Sequence, residues 1–164
     1  MDNTLRAALD LLSDITPLKH DCGCLCDSAC CRDEGELGSL VWLLPGEEDT
    51  PMPWADLVTT AMPVIQTQIS AISCNGPCSR SDRPFCCRIF PLSPYYSEKR
   101  QEWDVRMDRR AAPICPLFRY GKAGLDPAFV EAARRAVRLL AGDPKWEQWL
   151  MQLQSEESAY RMEL

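Results

Sequence analysis

The segment CNGPCSRSDRPFCCR, residues 74–88, and the earlier segment DCGCLCDSACCR, residues 21–32, hold all of the cysteines of this chain except Cys115. Ten cysteines in 164 residues is a high content. Buried free cysteines behave as small hydrophobic residues and are scattered through apolar positions, whereas these lie among Asp, Gly, Ser, Pro and Arg. Neither segment has a helical or strand period. We therefore expect two irregular loops that are held by bonds to sulfur.

Either disulfides or a metal could provide those bonds, since an even number of clustered cysteines is compatible with both. The first residues, MDNTLRAALDLLSD, have neither the basic leader nor the apolar run of a signal peptide. No stretch approaches the roughly 18 apolar residues of a membrane span. We thus expect a cytoplasmic protein without a membrane partner. Because the cytosol keeps thiols reduced, metal ligands are favoured over disulfides, with free thiols as a further alternative.

Size and charge limit the remaining possibilities. A mass of 18.5 kDa fits one domain spanning residues 1–164. Within it, residues 1–120 would bear the metal and residues 121–164 would form C-terminal helices. The net charge of −6 and the pI near 4.8 argue against nucleic acid as a partner, because such proteins normally present basic patches to phosphates.

Hydrophobic periodicity predicts the helices. Apolar residues recur at three- and four-residue spacings over residues 3–15, which indicates an amphipathic N-terminal helix. Asp126 followed by Pro127 predicts a second helix start, and Asp143 followed by Pro144 predicts a third. The last two helices are expected to form a helical hairpin that packs over the metal-bearing part.

The remaining segments are shorter and more ambiguous. Residues 39–44, 64–73 and 102–108 are predicted strands, and the last two could pair with each other. Residues 54–58 could form one helical turn, and residues 91–100 are expected to be a packed surface loop. The carboxylate pairs at 47–48 and 156–157 are interpreted as solvated charge. The predicted fold class is α+β, with cysteine-rich metal-bound loops, a few short strands, an N-terminal helix and a C-terminal helical hairpin.

The spacing of the cysteines suits a metal site. Several thiolates must meet at about 2.3 Å from a zinc ion, and short spacings achieve this because one tight turn can direct two sulfurs inward. Three residues separate Cys22 from Cys26, Cys26 from Cys30, and Cys74 from Cys78. The side chains of neighbouring cysteines usually diverge, so a vicinal pair need not give two ligands to one ion. His20, the only histidine, could join a mixed site but is more typical of a hydrogen-bonding residue.

A family resemblance follows from residues 83–91. Their sequence, RPFCCRIFP, matches the motif R-P-x-x-C-R-x-F-P, and the upstream cluster ends in Cys30-Cys31. Together these features resemble the CxxCxxCC cysteine-cluster family, whose YkgJ-type members are described as zinc- or iron-chelating proteins. The family shares its cysteine cluster with flagellin lysine N-methylase. The resemblance extends from Cys22 to Cys115 and includes the LLPGEE segment at residues 43–48.

The resemblance implies a set of metal ligands. Upstream of the vicinal pair the first block departs from the family pattern, because the CxxC spacing is replaced by Cys22, Cys24 and Cys26, with three residues between Cys26 and Cys30. Cys22 and Cys26 are favoured there because they bracket the turn, and Cys24 and Cys86 are treated as supernumerary. The expected ligands are Cys22, Cys26, Cys30, Cys31, Cys74, Cys78, Cys87 and Cys115. Zinc is the expected metal, with iron or an iron–sulfur cluster as the alternative.

The number of ligands leaves the stoichiometry open. Eight thiolates exceed the four that one zinc ion takes, so the sequence is compatible with two ions, a multi-iron cluster, or one site plus structural cysteines. Arg83 and Arg88 lie inside the motif and could donate hydrogen bonds to sulfur and offset its charge. Surface ion pairs are the alternative role for both arginines.

Three classes of function follow from these features. The first is a metal-binding protein without enzymatic activity, in which zinc ties the loops together and other surfaces bind a protein partner. The second is an enzyme related to protein methyltransferases, although no glycine-rich strand-to-helix turn for S-adenosylmethionine is visible. The third is a thiol redox or metal-handling protein, although the βαβ setting of thioredoxins is missing. The first class is favoured.

Overall fold

The computed structural model describes residues 2–32, 40–75 and 78–159 of the chain. Over these residues the chain forms five α-helices and five β-strands, which confirms the α+β class. The helices are α1 (Asn3–Asp10), α2 (Gly23–Cys26), α3 (Phe85–Ile89), α4 (Pro127–Ala141) and α5 (Pro144–Ala159). The strands are β1 (Leu40–Trp42), β2 (Ala55–Ala61), β3 (Gln68–Cys74), β4 (Leu92–Ser97) and β5 (Glu102–Met107). None of the helices in this described part combines the length and apolar character needed to cross a membrane.

Helix α1 is the predicted N-terminal helix, although it ends earlier than its apolar pattern. The Asp2 carboxylate caps it by accepting the backbone N–H groups of Thr4 and Leu5, at 2.7 and 3.2 Å. Beyond Asp10 the backbone N–H groups donate to the carbonyl three residues earlier instead of four, as in the bond from Leu12 N to Leu9 O, which is the pattern of a 3-10 turn. Leu12 is nevertheless fully buried, so the apolar face continues into the turn that leads to the first cysteine block.

A three-stranded antiparallel sheet has β3 at its centre, between β1 and β2. Val41 of β1 and Leu57 of β2 both lie opposite Ile72 of β3, which is fully buried. The prediction of a helical turn at residues 54–58 is therefore wrong, because residues 55–58 belong to β2. Its apolar residues fit either a helix or a strand over so short a window, and pairing with the adjacent β3 decides the outcome.

A β-hairpin of β4 and β5 forms the second sheet. The predicted surface loop at residues 91–100 is wrong, since residues 92–97 are a strand. Pro94 is compatible with it because a two-stranded sheet leaves one side of each strand without a partner. The aromatic rings of Tyr96 and Trp103 lie opposite each other, with centroids 5.7 Å apart in a T-shaped arrangement. The expected pairing of residues 64–73 with 102–108 is also wrong, because each of these strands pairs with nearer neighbours in the chain.

The two C-terminal helices form where the Asp-Pro signals place them. The Asp126 carboxylate accepts the Ala128 N–H at 2.9 Å and caps α4, whose first residue is Pro127. Helix α4 packs on α1 and on β5, whereas α5 packs on β4. Residues of all three long helices and of the hairpin share one hydrophobic core with α3; its fully buried members include Leu5, Phe85, Phe129, Leu140, Trp146 and Leu150.

The carboxylates at 156–157 are buried, contrary to the sequence interpretation. Glu157 is fully buried; it pairs with Arg106 and accepts the Arg109 N–H at 3.1 Å. Glu156 is 4% exposed and accepts the backbone N–H groups of Val64 and Ile65, each at 2.9 Å. Their partners lie 48 to 92 residues away, so no local pattern marks them. These two carboxylates attach α5 to the loop between β2 and β3 and to the end of the hairpin.

Candidate metal centre

The cysteines that the sequence selects as ligands come together around one open cavity of about 320 Å³. They reach it from three separate parts of the chain, the two cysteine blocks and the single Cys115. The cavity is lined by Cys22, Cys26, Cys30, Cys31, Cys74, Cys78, Cys87 and Cys115, together with Cys86. Cys24 is exposed and does not line it. His20 is also exposed and lies outside the lining.

The first block is a compact loop that brings its own cysteines back toward each other. The Asp21 carboxylate accepts the Gly23 N–H at 2.9 Å, and α2 follows directly. Asp27 and Ser28 then adopt left-handed backbone conformations with φ of 51° and 55°. These reverse the chain, and the Ser28 N–H donates to the Gly23 carbonyl at 3.0 Å. Within this loop the Cys26 sulfur lies 4.0 Å from the carbonyl oxygen of Cys22.

The vicinal pair at the end of this loop does not diverge as expected. The Cys30 and Cys31 sulfur atoms are 4.0 Å apart. This separation is well beyond the roughly 2.05 Å of a disulfide bond. It is close to the edge of a tetrahedron of sulfurs around zinc, which is about 3.8 Å when each bond is 2.3 Å. The two sulfurs are therefore spaced as thiolate donors around metal, although neighbouring residues carry them.

The two thiols of this pair have different tendencies to ionise. The hydrogen bond from Cys30 lowers the pKa of Cys31 to about 6, and the positive charge of Arg83 contributes. The same hydrogen bond raises the pKa of Cys30. Cys31 is thus the member of the pair that carries negative charge first.

The second block positions its cysteines on regular elements. Cys74 is the last residue of β3, Cys78 lies in the loop that follows, and Cys87 belongs to α3. Burial raises the pKa of Cys87 well above its ordinary value, and the charges of Cys74 and Cys31 add to the effect. Cys87 is therefore held near cysteines of both blocks.

Arg83 and Arg88 have different roles, which the sequence did not separate. Burial alone would lower the pKa of Arg83, but a hydrogen bond with Cys78 and the charges of nearby cysteines outweigh burial and raise this pKa. Arg88 is 6% exposed and donates to backbone oxygens, including those of Leu9 at 2.9 Å and Arg83 at 2.7 Å. Arg83 therefore faces sulfur. Arg88 instead fastens α3 to the end of α1, and neither arginine forms an ion pair with another residue of the described ranges.

The interpretation of Glu47 as solvated charge is wrong, because its carboxylate is buried beside the candidate centre. Glu47 is 2% exposed, and its two carboxylate oxygens accept the Leu44 N–H at 2.8 Å and the Phe85 N–H at 2.7 Å. Burial raises the pKa of Glu47 to about 7. Gly46 has a φ of 97°, which lets the Pro-Gly turn direct Glu47 back into the protein. Glu47 therefore joins the LLPGEE segment to the start of the helix that carries Cys87.

The remaining two cysteines of the cavity differ in their surroundings. Cys115 precedes a 3-10 turn, and its N–H donates to the Ala111 carbonyl at 2.8 Å. Burial raises its pKa, and Cys26 is the nearby thiol that adds to this shift. For Cys86, burial raises the pKa above the ordinary range; the charge of Glu47 adds to this shift and the charge of Arg110 opposes it. Cys115 is thus influenced by the first block, whereas Cys86 is influenced mainly by Glu47 and Arg110.

The donor set fits a soft or borderline metal ion. Thiolates are the preferred ligands of zinc and of iron–sulfur clusters. Within the part of the chain that the structure describes, no group of three or more His, Cys, Asp or Glu side chains is placed so that it could hold a metal ion. The cysteine side chains would therefore have to rotate toward a common point within the cavity.

Comparisons with known protein families, with curated proteins and with solved structures find no match for this chain. The resemblance of the RPFCCRIFP segment to the cysteine-cluster family stays a prediction. The fold and the geometry of the cavity consequently carry the functional argument.

Proposed function

We propose that this chain is a metal-binding protein of the reducing cytosol, whose clustered thiolates chelate zinc and thereby stabilise its fold. Iron is the alternative metal. The observation that carries the proposal is the convergence of eight cysteines, from three separate parts of the chain, on one cavity. Cysteines that served only as small apolar residues would be distributed through the hydrophobic core.

A structural role fits the way the cysteine-bearing segments are built. Helix α2 has four residues and α3 has five, so neither is long enough to be stable alone. Bonds from zinc to sulfur would link these short elements to β3 and to the turn at Cys115. All-cysteine zinc sites are typically closed and structural, and the binding free energy of such a metal contributes directly to folding.

Nearby arginines support the presence of several thiolates. Four thiolates around one zinc ion carry a net charge of −2, which is costly to bury without compensation. The charge of Cys22 favours the protonated form of Arg80, although burial is the larger effect and lowers the pKa of Arg80. Arg83 hydrogen-bonds to Cys78. Such donors offset thiolate charge and orient the ligands.

The direct test is elemental analysis of protein purified under anaerobic conditions without added metal. We expect stoichiometric zinc in a colourless sample, and a lower melting temperature after removal of the metal with a chelator. Cys87→Ser should lose zinc, whereas the matched control Cys24→Ser should retain it, because Cys24 is exposed and outside the cavity. Metal-free protein with an unchanged melting temperature in the presence of zinc would refute the proposal.

The same sample distinguishes the alternative metal. Brown colour with iron and inorganic sulfide would replace zinc by an iron–sulfur cluster and would favour the enzyme hypothesis. Thiolate ligation by Cys87 would still be required in that case, so the Cys87→Ser variant should lose the colour.

Thiol redox chemistry is the second candidate, because the Cys30 and Cys31 sulfurs are only 4.0 Å apart and Cys30 is exposed. Oxidised glutathione would accept two electrons from this pair, which would lose two protons and form a disulfide while glutathione is released as two thiols. Mass spectrometry of the metal-free protein under denaturing conditions, after exposure to oxidised glutathione, would detect the loss of two hydrogens. Stable thiols under these conditions would argue against a redox role.

A further inference from the structure

We propose that Cys30 and Cys31 form a solvent-facing pair of thiolates through which a metal ion enters and leaves the cavity. The proposal rests on the metal binding proposed above, and it adds the route of the ion and the class of donor that supplies it. That donor is a zinc ion held by small thiols such as glutathione, which the vicinal pair takes over by exchange of ligands. The half-buried cysteines of the cavity bind the ion afterwards.

Exposure separates Cys30 from the other cysteines of the cavity. Cys30 is exposed and lines the cavity. The other cysteines in the lining are half-buried; they are Cys22, Cys26, Cys31, Cys74, Cys78, Cys86, Cys87 and Cys115. Cys24 is also exposed, but it lies outside the lining. An ion that arrives from solvent therefore reaches the Cys30 thiol before the other thiols of the cavity.

The spacing of the pair suits one ion that both thiolates share. The Cys30 and Cys31 sulfurs lie 4.0 Å apart. Two ligands of one tetrahedral zinc ion are about 3.8 Å apart when each bond is about 2.3 Å. A small movement of either side chain would thus place both sulfurs on the same ion. Two protein ligands leave two of the four positions open, and thiols of the donor can occupy these positions during transfer.

The loop that carries the pair is shaped by backbone hydrogen bonds. The Cys31 N–H donates to the Ser28 carbonyl at 2.8 Å, which closes the 3-10 turn Ala29–Cys31. The Ser28 N–H in turn donates to the Gly23 carbonyl at 3.0 Å. A Cβ atom at Gly23 would lie 2.7 Å from the Ser28 hydroxyl oxygen, so glycine leaves room for this close approach. The backbone of the loop therefore holds the two cysteines at the edge of the cavity without a bond to sulfur.

A four-ligand site requires further movement of side chains. Over the ranges that the structure describes, no three His, Cys, Asp or Glu side chains are placed to hold a metal ion together. The ion must therefore be retained while the half-buried cysteines rotate toward it. A pair of thiolates retains an ion better than a single thiolate, because the second bond forms within the same molecule.

Transfer to the pair exchanges thiolates and changes no oxidation state. The Cys30 thiol forms a bond to zinc and gives up its proton, and one thiolate of the donor complex leaves zinc and takes up that proton. Cys31 displaces a second donor thiolate in the same way. The products are zinc bound to two protein sulfurs and two molecules of free thiol, so no oxidant or reductant is consumed. Release of zinc to an acceptor thiol is the reverse of these steps.

The experiment separates the rate of zinc uptake from the amount finally bound. The full chain, freed of metal under anaerobic conditions, is mixed with the zinc–glutathione complex, and bound zinc is counted at intervals by native mass spectrometry. Cys30→Ser should slow uptake by about tenfold or more, because a single thiolate releases the ion before other ligands reach it. Cys115→Ser, at a half-buried position of the cavity, should keep the initial rate of uptake and lose zinc more readily to a chelator. Cys24→Ser is the matched control and should behave as the wild type, since Cys24 is exposed and outside the cavity.

A second measurement uses the wild type alone and does not depend on zinc. Phenylarsine oxide bridges two neighbouring thiols through its arsenic atom, and its oxygen leaves as water with the two thiol protons. We expect the first equivalent to bridge Cys30 and Cys31, as located by peptide mapping. The bridged protein should then take up zinc more slowly than untreated protein, because its entry site is blocked.

Two outcomes would overturn the proposal. Equal rates of uptake in Cys30→Ser and Cys24→Ser would show that the ion enters elsewhere. A first equivalent of phenylarsine oxide located on other cysteines would show that the vicinal pair is not the accessible pair of thiols. A wild-type protein that carries arsenic on Cys30 and Cys31 but never takes up zinc would instead refute the proposed metal binding.

Discussion

Replacement of Arg88 by alanine should destabilise the folded state by about 3 kcal/mol, because several backbone oxygens lose a charged donor. Arg88 is 6% exposed, and its guanidinium connects segments that are far apart in sequence. It donates to the carbonyl oxygens of Leu9, Ser81 and Arg83, and to the Ser13 hydroxyl. The loss of this one side chain would therefore separate α1 from α3.

The size of this loss of stability depends on which of the acceptor oxygens keep another hydrogen-bond donor in the variant. The Leu9 carbonyl also accepts the Leu12 N–H, so it remains satisfied in the variant. The hydrogen bonds that the Arg88 guanidinium donates to the carbonyls of Ser81 and Arg83 are lost in the variant. Ser81 is exposed and Arg83 is half-buried, so water can reach both carbonyls once Arg88 is removed. A hydrogen bond from a charged donor contributes about 1.5–3 kcal/mol, and two such bonds at the lower end of this range give about 3 kcal/mol. Loss of the packed aliphatic part of the side chain acts in the same direction.

The measurement is urea denaturation at a fixed zinc concentration, since bound metal itself adds to stability. Arg88→Lys should recover only part of the loss, because one ammonium group cannot replace the fork of donors that reaches these separate oxygens. Arg135→Ala on α4 is the matched control, because Arg135 is exposed. Its substitution should change the free energy of unfolding by no more than about 0.5 kcal/mol.

Two results would contradict this reasoning. A loss below about 1 kcal/mol in Arg88→Ala would mean that water or other donors satisfy these oxygens. An Arg88→Lys variant as stable as the wild type would mean that the positive charge matters and the geometry of the hydrogen bonds does not. An unchanged urea m-value is needed for either comparison, because it shows that the folded and unfolded states are otherwise alike.

Three further predictions concern the buried side chains of Glu47, Asp104 and Phe129. Because burial raises the pKa of Glu47 from 4.5 to about 7, its contribution is present below pH 4.5 and is lost as the pH rises through 7. The wild type should lose about 3 kcal/mol relative to Glu47→Gln over this range, as measured by urea denaturation. Burial alone would raise the pKa of Asp104, but its hydrogen bonds outweigh burial and lower it from 3.8 to about 2. The advantage of the wild type over Asp104→Asn should thus be present above pH 3.8 and disappear as the pH falls toward 2, and equal acid midpoints would contradict this. Phe129 is fully buried on α4, so Phe129→Ala should cost about 3–5 kcal/mol in urea denaturation, while Leu139→Ala, at a 40% exposed position of the same helix, should cost much less.

The elements that the sequence predicts are those with local signals. Asp126 and Pro127 mark the start of α4 because the cap and the fixed proline backbone act within one helical turn. Strand β2 was predicted as a helical turn and β4 as a loop, because neither pattern is long enough to choose between conformations. The pairing partners β3 and β5 determine both strands, and this information is tertiary.

The candidate site shows the same division between what neighbouring residues determine and what distant contacts determine. Cysteine type and spacing are local, so the sequence could name eight residues that line one cavity. The role of Glu47 depends on the Phe85 N–H, 38 positions further along the chain, and could not be inferred from the charged run in which Glu47 lies. The same reason explains why the vicinal pair was interpreted as divergent. Adjacent cysteine side chains usually diverge, and the fold of the whole loop is what brings the Cys30 and Cys31 sulfurs to 4.0 Å from each other.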